Sequence, residues 1–359
     1  MNQSKEAGRF RPVAIWIMVG VGMLLIQVVL GGITRLTGSG LSITEWNVVT
    51  KLLPPVNGEQ WMNEFDKYRQ TSQYQYLNTH FTLSDFKFIF FWEWFHRLWA
   101  KLIAVAFLIP FVLFIYQKRI NRKMIQPLII LFLLGGLQGI IGWIMVKSGL
   151  TGDAVYVKPT RLALHFVFAL GLIAYAFWVG LRWRSPAPGI HHPRLRSLTI
   201  IIIVIVFLQL IFGALMAGHK AALVAPTWPT INGAMVPVDL FRERPLMLNL
   251  IDNTITIHFI HRSLAYILFI LVSIWTAYAF RIQQPPHIFA KNRYLPPLLI
   301  ALQILLGILS VLQSPSIVPN HWGSFEWLAL LHQIVGMIFL LSLVGMLYYL
   351  SPKYRTQQL

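Results

Sequence analysis

The chain of 359 residues is 56% hydrophobic and only 12% charged, with a mean hydropathy of +0.62. Ordinary soluble domains carry roughly 25% charged residues, so this composition excludes a water-soluble globule. The formal net charge of +18 does not by itself identify a binding partner, so the distribution of the basic residues over the loops has to be considered. The chain has no cysteine, which excludes thiolate-bound zinc, iron–sulfur clusters, thiolate-ligated or CxxCH-attached haem, and disulfides. Any bound metal is expected on histidine or carboxylate.

Apolar runs of about 20 residues, each long enough to cross roughly 30 Å of hydrocarbon, recur along the chain. They predict an all-α polytopic membrane protein with eight transmembrane helices and both termini on one side. The first run is expected to remain as a helix, because it lacks the small-residue cleavage site of a signal peptide. The predicted spans are 13–33, 88–116, 127–146, 162–180, 198–217, 255–280, 295–313 and 327–350.

Basic residues are distributed unequally between the two sides of the membrane. The side of the termini holds 16 of the 30 Lys and Arg residues and, among acidic residues, only Glu6. The positive-inside rule therefore predicts cytoplasmic termini and a multi-pass protein of the cell inner (plasma) membrane. This asymmetry accounts for the basic excess, so membrane lipid is an expected partner and nucleic acid is not.

The sequence contains an internal repeat of four helices. The pair His96-Arg97 in the second span returns 165 residues later as His261-Arg262 in the sixth. Four helices per half is an even number, so the two halves run in the same direction. We predict two pseudo-symmetric four-helix bundles, residues 1–186 with a long outer loop at 35–87, and residues 187–359. Other matched pairs are Gln138 and Gln303, Gln27 and Gln209, and His165 and His332.

Four histidines lie inside the predicted helices, each about 8–12 Å below the outer end of its helix. A histidine in an apolar helix is costly to leave unpaired and indicates a functional site. Two imidazoles that face each other in a bundle can hold one haem iron, whereas two nitrogens alone make a poor closed zinc site. The repeat predicts two haem sites near the outer leaflet, one with His96 and His165 and one with His261 and His332.

Three arginines are candidates to bind haem propionates at the outer interface. Arg161 lies one turn outward from His165 on the same helix face. Arg97 and Arg262 directly follow the histidines of the second and sixth spans. Guanidinium groups bind carboxylates strongly through paired hydrogen bonds, so each of the three is expected to contact the cofactor.

Glu93 makes the first half differ from the second. It lies three residues before His96 on one face of the helix, and its repeat counterpart is His258. A carboxylate within the membrane is either a structural hydrogen-bond acceptor or a proton-handling group, and we favour the second role for Glu93. The difference indicates that the first half performs chemistry, while the second holds a permanent redox cofactor.

Longer motifs resemble the haem A synthases, in particular their cysteine-free branch in mitochondria and related bacteria. The resemblance covers about residues 13–350 and includes all four histidines in order. The matching stretches are TRLTGSGLSITEW from Thr34 to Trp46, FKFIFFWEWFHR from Phe86 to Arg97, LALH ending at His165, AGHKA from Ala217, TWP from Thr227, NG from Asn232, His261-Arg262 and His332.

The resemblance implies an enzyme that oxidises the C8 methyl group of haem O, its substrate, to a formyl group. The product is haem A for cytochrome c oxidase, reached through two hydroxylations and loss of water from a gem-diol. By the same resemblance, a resident haem b is expected on the histidines of the second half. The implied catalytic residues are Glu93, His96 and His165. A thiol-based step, found in relatives with paired outer-loop cysteines, is not expected.

Two other functions fit the same histidines: a non-enzymatic two-haem membrane cytochrome and a haem carrier. A cytochrome would keep haem in both halves and would not need Glu93, and a carrier would keep no resident haem. The sequence does not identify the electron donor, and it leaves open a homo-oligomer and delivery of haem O by haem O synthase. It also leaves open whether the outer-loop residues His80, His219 and His321 bind a metal.

Overall fold

The computed structural model describes residues 2–45, 53–184, 189–318 and 321–351, with side chains from residue 11 onward. In this part of the chain the regular structure is helical. Eight helices are long and apolar enough to cross a membrane, as the sequence predicts. Trp46 and the predicted boundary between residues 186 and 187 lie outside the described residues, as does the side chain of Glu6.

The spanning helices extend beyond most of the predicted apolar runs, because polar residues continue the helices at their ends. The short helices α2, α3 and α9 lie in the connections between them. The α-helices are α1 (Asn2–Leu36), α2 (Gly58–Arg69), α3 (Ser72–Leu77), α4 (Leu83–Tyr116), α5 (Arg122–Lys147), α6 (Pro159–Arg184), α7 (Pro193–Gly218), α8 (Thr254–Phe280), α9 (His287–Asn292), α10 (Leu295–Gln313) and α11 (Ser324–Tyr349).

The start of α4 illustrates how capping lengthens a span. Thr82 accepts a hydrogen bond from the backbone N–H of Asp85, and the Asp85 carboxylate accepts one in return from the Thr82 backbone at 2.8 Å. This capping box satisfies two backbone donors that a helix start leaves without partners. The helix therefore begins at Leu83, five residues before the predicted span, and places Glu93 and His96 well inside it.

The helices of each half pack mainly on one another. In the first half α1 packs against α4 and α6, and α5 packs against α6. In the second half α7 packs against α8, α10 packs against α11, and α8 also contacts α10. The halves meet where α6 contacts α7 and α11, and where Gln333 of α11 donates to the Val28 carbonyl of α1 at 2.9 Å.

An aromatic cluster fixes the outer loop against the start of α4. Phe86 stacks on Phe65 and Tyr68 of α2, with ring centroids 5.1 and 5.3 Å apart. Burial raises the pKa of Tyr68 to about 12, so its phenol stays protonated. Lys67 of the same helix contacts Glu45 at 2.8 Å, and this hydrogen bond holds the pKa of Lys67 above its ordinary value. The loop is thereby held over the end of the first half at which α4 begins.

Candidate functional site

One cavity of about 2020 Å³ brings the predicted site residues of both halves together. Pockets for drug-sized ligands usually hold about 300–1,000 Å³, so this space suits ligands larger than one such molecule. Its wall is mainly apolar, with polar side chains at a few positions. Predicted residues in the wall are Glu93, His96, Arg97, His165, His258, His261, Arg262 and His332, and the outer-loop residues His80 and His321 also line it.

The two histidines of the second half face each other across a short distance. His261 of α8 and His332 of α11 have ring centroids 6.4 Å apart and ring planes at 70°. A metal–imidazole nitrogen bond is about 2 Å long, so two imidazoles on opposite sides of one metal place their centroids roughly 6 Å apart. The observed separation therefore fits axial ligation of one haem iron, whose porphyrin supplies the remaining four nitrogens. No group of three or more potential metal ligands was found among the described residues.

Each of the four histidines packs its ring against a glycine of the preceding spanning helix. We call these four glycines the glycine notches. A Cβ atom placed on them would lie 2.9 to 3.2 Å from the histidine Cε1, closer than side chains ordinarily pack, so a larger residue would force the rings to shift. The pairs are Gly31 with His96, Gly142 with His165, Gly213 with His261, and Gly307 with His332.

Glu93 is buried, with 3% of its surface exposed, and its carboxylate is fully engaged. One oxygen accepts a hydrogen bond from Arg97 at 2.6 Å. The other accepts bonds from the Ser42 hydroxyl at 2.7 Å and from the Ile43 backbone N–H at 2.8 Å. Three donors, one of them charged, compensate the burial of a carboxylate. The structure thus places an anchored acidic group one helical turn from His96.

Arg97 joins the same helix turn to the segment that follows α1. Besides Glu93, it donates to the backbone carbonyls of Ile43 and Glu45 at 3.2 and 3.3 Å. A guanidinium group with several fixed acceptors is held in one orientation. The predicted contact between Arg97 and a haem propionate stays a prediction.

Arg262 plays the equivalent part in the second half. It donates to the His258 ring at 2.9 Å and to the backbone carbonyls of Thr227 and Thr230 at 2.5 and 3.1 Å. Because the guanidinium donates to Nε2, His258 is neutral and carries its proton on Nδ1 in this assignment. His258 is fully buried, so it serves as a neutral partner of Arg262.

The structure does not bring Arg161 to the cavity wall, and it donates instead to the Ile144 carbonyl at 3.0 Å. His219 binds the Ile251 carbonyl at 2.6 Å. Sequence reasoning missed Ser42, the hydroxyl partner of Glu93. A local signal for Ser42 existed, since the residue lies within the stretch from Thr34 to Trp46 that resembles the family. Its partner, however, depends on how the segment after α1 folds back on α4.

Comparisons with known proteins show the family of the chain. The model of the COX15-CtaA family, described as cytochrome oxidase assembly protein, matches residues 14–344. Heme A synthase of Bradyrhizobium diazoefficiens is 39% identical over 330 residues, which cover 91% of this chain and 88% of the relative. Heme A synthase of Methylobacterium radiotolerans is 40% identical over 331 residues, covering 90% and 86%.

A third relative, Heme A synthase of Rhodospirillum centenum, is 43% identical over 278 residues, which cover 76% of this chain and 74% of the relative. These matches confirm the resemblance that the motifs predict. The family match over residues 14–344 includes all four cavity histidines. The chain belongs to the COX15-CtaA family of cytochrome oxidase assembly proteins.

Proposed function

We propose that this protein is a haem A synthase, an oxidoreductase that converts the C8 methyl group of haem O to a formyl group and so makes haem A for cytochrome c oxidase. The observation that carries the proposal is the imidazole pair of His261 and His332, 6.4 Å apart in a cavity shared with His96 and His165. Family membership and the names of the relatives favour an enzyme over a non-enzymatic cytochrome or a haem carrier.

In this proposal the chain forms two pseudo-symmetric four-helix bundles, residues 1–186 and 187–359. His261 and His332 hold a resident haem b, which supplies electron transfer when bound. His96 and His165 flank haem O in the first half. Support comes from the glycine notches, since each of the four histidine rings packs against one of them in the same way. Arg97 and Arg262, which line the cavity, are the proposed propionate-binding residues, and the same role for Arg161, which lies outside the cavity wall, stays a prediction.

Glu93 is the proposed acid–base group at the substrate. Oxidation of a methyl group to an aldehyde passes through an alcohol and a gem-diol, and the gem-diol loses water, so protons must move at the reacting edge. Ser42 Oγ donates to Glu93 Oε2, while Arg97 holds Oε1. A proton taken up at Oε2 would neutralise the carboxyl group and turn the ion pair at Oε1 into a hydrogen bond from Arg97 to a neutral acceptor, so the side chain would stay anchored while it holds the proton. The buried position of this carboxylate keeps the exchange away from bulk water.

The activity test replaces Glu93 and supplies haem O. We expect Glu93→Ala to keep bound haem but to lower haem A output by about 10²–10⁴-fold, the usual contribution of a positioned acid or base. Pigment extraction followed by chromatography measures the ratio of haem A to haem O. Glu59→Ala, at an exposed position of α2, is the matched control and should behave as wild type.

Two results would contradict these assignments. Normal haem A output from Glu93→Ala would remove Glu93 from the reaction. Unchanged haem O from the wild-type protein would argue against the enzyme and for a carrier or an electron-transfer cytochrome.

We also propose that the protein lies in the cell inner (plasma) membrane with cytoplasmic termini and with both haem sites toward the outer leaflet. The absence of cysteine from the sequence allows a clean test with single introduced cysteines. Val238→Cys lies in the proposed outer loop at a position 92% exposed, and Tyr116→Cys lies at the other end of α4, 86% exposed. In intact cells a membrane-impermeant maleimide should label only Val238→Cys. Labelling of Tyr116→Cys alone would reverse the orientation.

A further inference from the structure

A four-residue spacing of glutamine and glycine recurs on four spanning helices. Residues four apart lie on one face of a helix, so each glutamine lies one turn from a glycine notch and faces the same histidine. The family resemblance and the proposed mechanism do not use these glutamines. The pairs are Gln27 and Gly31 on α1, Gln138 and Gly142 on α5, Gln209 and Gly213 on α7, and Gln303 and Gly307 on α10.

Each glutamine contacts the ring of the histidine that lies in its notch. An amide N–H can donate only to an unprotonated ring nitrogen, so the contact favours neutral imidazole with a bare nitrogen. Three of the four contacts are shortest at Nε2. The distances from the amide Nε2 are 3.1 Å for Gln27 to His96 Nε2, 3.1 Å for Gln138 to His165 Nδ1, 3.4 Å for Gln209 to His261 Nε2, and 3.2 Å for Gln303 to His332 Nε2.

Main-chain contacts hold three of these histidines further. The amides of Gln27 and Gln138 also donate to the backbone oxygens of His96 and His165, at 3.2 and 2.9 Å. In the second half, Nδ1–H of His332 donates to the backbone carbonyl of Gln303 at 3.0 Å, so Nε2 is unprotonated and its electron pair accepts from the Gln303 amide at 3.2 Å. Iron requires an unprotonated nitrogen and, when bound there, would take the place of the amide.

The amide oxygens supply a second, independent observation. Oε1 of all four glutamines is buried and has no hydrogen-bond partner among the described residues. Buried polar atoms in folded proteins almost always have a partner, so four exceptions at equivalent positions call for a common explanation. A metal-bound histidine usually donates its other ring N–H to a nearby acceptor, and a glutamine oxygen is such an acceptor.

We propose that Gln27, Gln138, Gln209 and Gln303 are positioning residues for the four haem-ligating histidines. In each pair of helices, the glycine notch sets the place of the imidazole, and the glutamine one turn away sets its rotation and tautomer. The inference rests on the proposed haem sites. It adds a role for the four glutamines, which depends on their hydrogen bonds to the imidazole rings. It covers both the resident and the substrate site, because the arrangement occurs twice in each half.

The test measures the resident haem in purified holoprotein. Gln303→Met keeps the length of the side chain but removes both hydrogen-bonding groups. We expect an altered low-spin ferric EPR signal, which responds to the relative rotation of the two imidazoles, a shifted midpoint potential, and a haem dissociation constant raised about 10–100-fold. Gln313→Met, exposed on the same helix, is the matched control and should leave all three unchanged.

A second variant guards against a simple folding failure. If Gln303→Met does not fold, Gln303→Glu is measured in the same way, since it keeps the length and an oxygen acceptor but lacks the amide donor. Because Gln209 occupies the equivalent position opposite His261, Gln209→Met should shift the same signal. Wild-type EPR spectra and potentials in these variants would overturn the inference.

The first half is tested by binding. In protein that keeps its resident haem, Gln138→Met should weaken binding of added haem O about 10–100-fold and leave the EPR signal of the resident haem unchanged. Unchanged affinity for haem O would restrict the role to the second half and overturn the inference for all four glutamines. A wild-type protein that binds no haem would instead refute the proposed function, so the two failures can be told apart.

Discussion

The first half of the chain and the second differ most clearly at one helical turn. In α4, Glu93 and Arg97 form an ion pair at 2.6 Å, four residues apart. In α8, the equivalent positions carry His258 and Arg262, joined by a hydrogen bond of 2.9 Å. The arginine is common to both halves, and in both it also donates to backbone carbonyls of the segment that follows the preceding spanning helix.

The comparison separates a shared structural role from a specialised one. Fixing the outer segment to the helix requires the arginine, and both halves keep it. The partner four residues earlier is free to change, since either a carboxylate or a neutral imidazole can accept from a guanidinium. Only the first half thereby acquires a carboxyl group one turn from its histidine. The two halves differ here only in the side chain that accepts from the arginine, but this one difference places a carboxyl group in the first half and an imidazole in the second.

Loss of a histidine should have the largest effect and should differ between the halves. His332→Ala removes one of the two histidines of the proposed haem site, so we expect loss of most of the Soret absorption of the purified protein. His165→Ala should leave that absorption largely intact and abolish haem A formation. His287→Ala, exposed on α9, is the control for both. Equal loss of absorption in the first two variants would mean that both halves hold permanent haem.

Neutral replacements at the two diverged positions should have intermediate and unequal effects. Glu93→Gln leaves the guanidinium of Arg97 without its counter-charge in a mostly buried place, which should cost about 3–5 kcal/mol of unfolding free energy. His258→Gln keeps a neutral acceptor for Arg262 and should cost less than about 1.5 kcal/mol. Denaturant titration in detergent, followed by tryptophan fluorescence, measures both.

An exposed ion pair provides the control for that experiment. Asp66 and Arg69 of α2 lie 3.2 Å apart with both side chains largely exposed. Asp66→Asn should therefore change stability by about 0–1 kcal/mol. If Glu93→Gln proved as mild as Asp66→Asn, the carboxylate of Glu93 would not be charged in the folded protein.

The glycine notches should show an effect smaller than that of Glu93→Gln. A Cβ on Gly142 would lie 2.9 Å from the His165 ring, and one on Gly139 meets nothing within 4 Å. Gly142→Ala should therefore destabilise the protein by about 1–3 kcal/mol through overpacking and weaken haem O binding, whereas Gly139→Ala should be nearly neutral. Gly307→Ala should likewise weaken binding of the proposed resident haem. Equal stability and equal haem binding in Gly142→Ala and Gly139→Ala would mean that no glycine is needed there.

The eight spans were predictable because a membrane-crossing helix needs a long apolar run, and such runs are visible in hydropathy alone. The helix ends were harder to predict, because capping by Thr82 and Asn253 adds polar residues to the helices that a hydropathy window leaves out. The positions of the four histidines came from the repeat. Because the repeat relates whole helices, it also predicted that Glu93 and His258 are equivalent.

The contacts of those residues were harder to predict. Which hydrogen bonds Glu93 makes depends on the path of residues 39–45, and that path is set by the aromatic cluster and by Arg97 rather than by local preference. Glycines near the histidines were visible in the sequence, but helix rotation decides which glycine meets which ring. The spacing of glutamine and glycine on alternate spans was the one available signal for that rotation.

Because the two halves share one cavity, binding in one half can be observed from the other. Since the histidines of both halves line one continuous space, a molecule bound in the first half would contribute to the surroundings of the haem proposed for the second. The absorption of haem depends on the polarity around it. The spectrum of the proposed haem would therefore serve as a built-in optical reporter, through which arrival of substrate and departure of product can be followed without any added label.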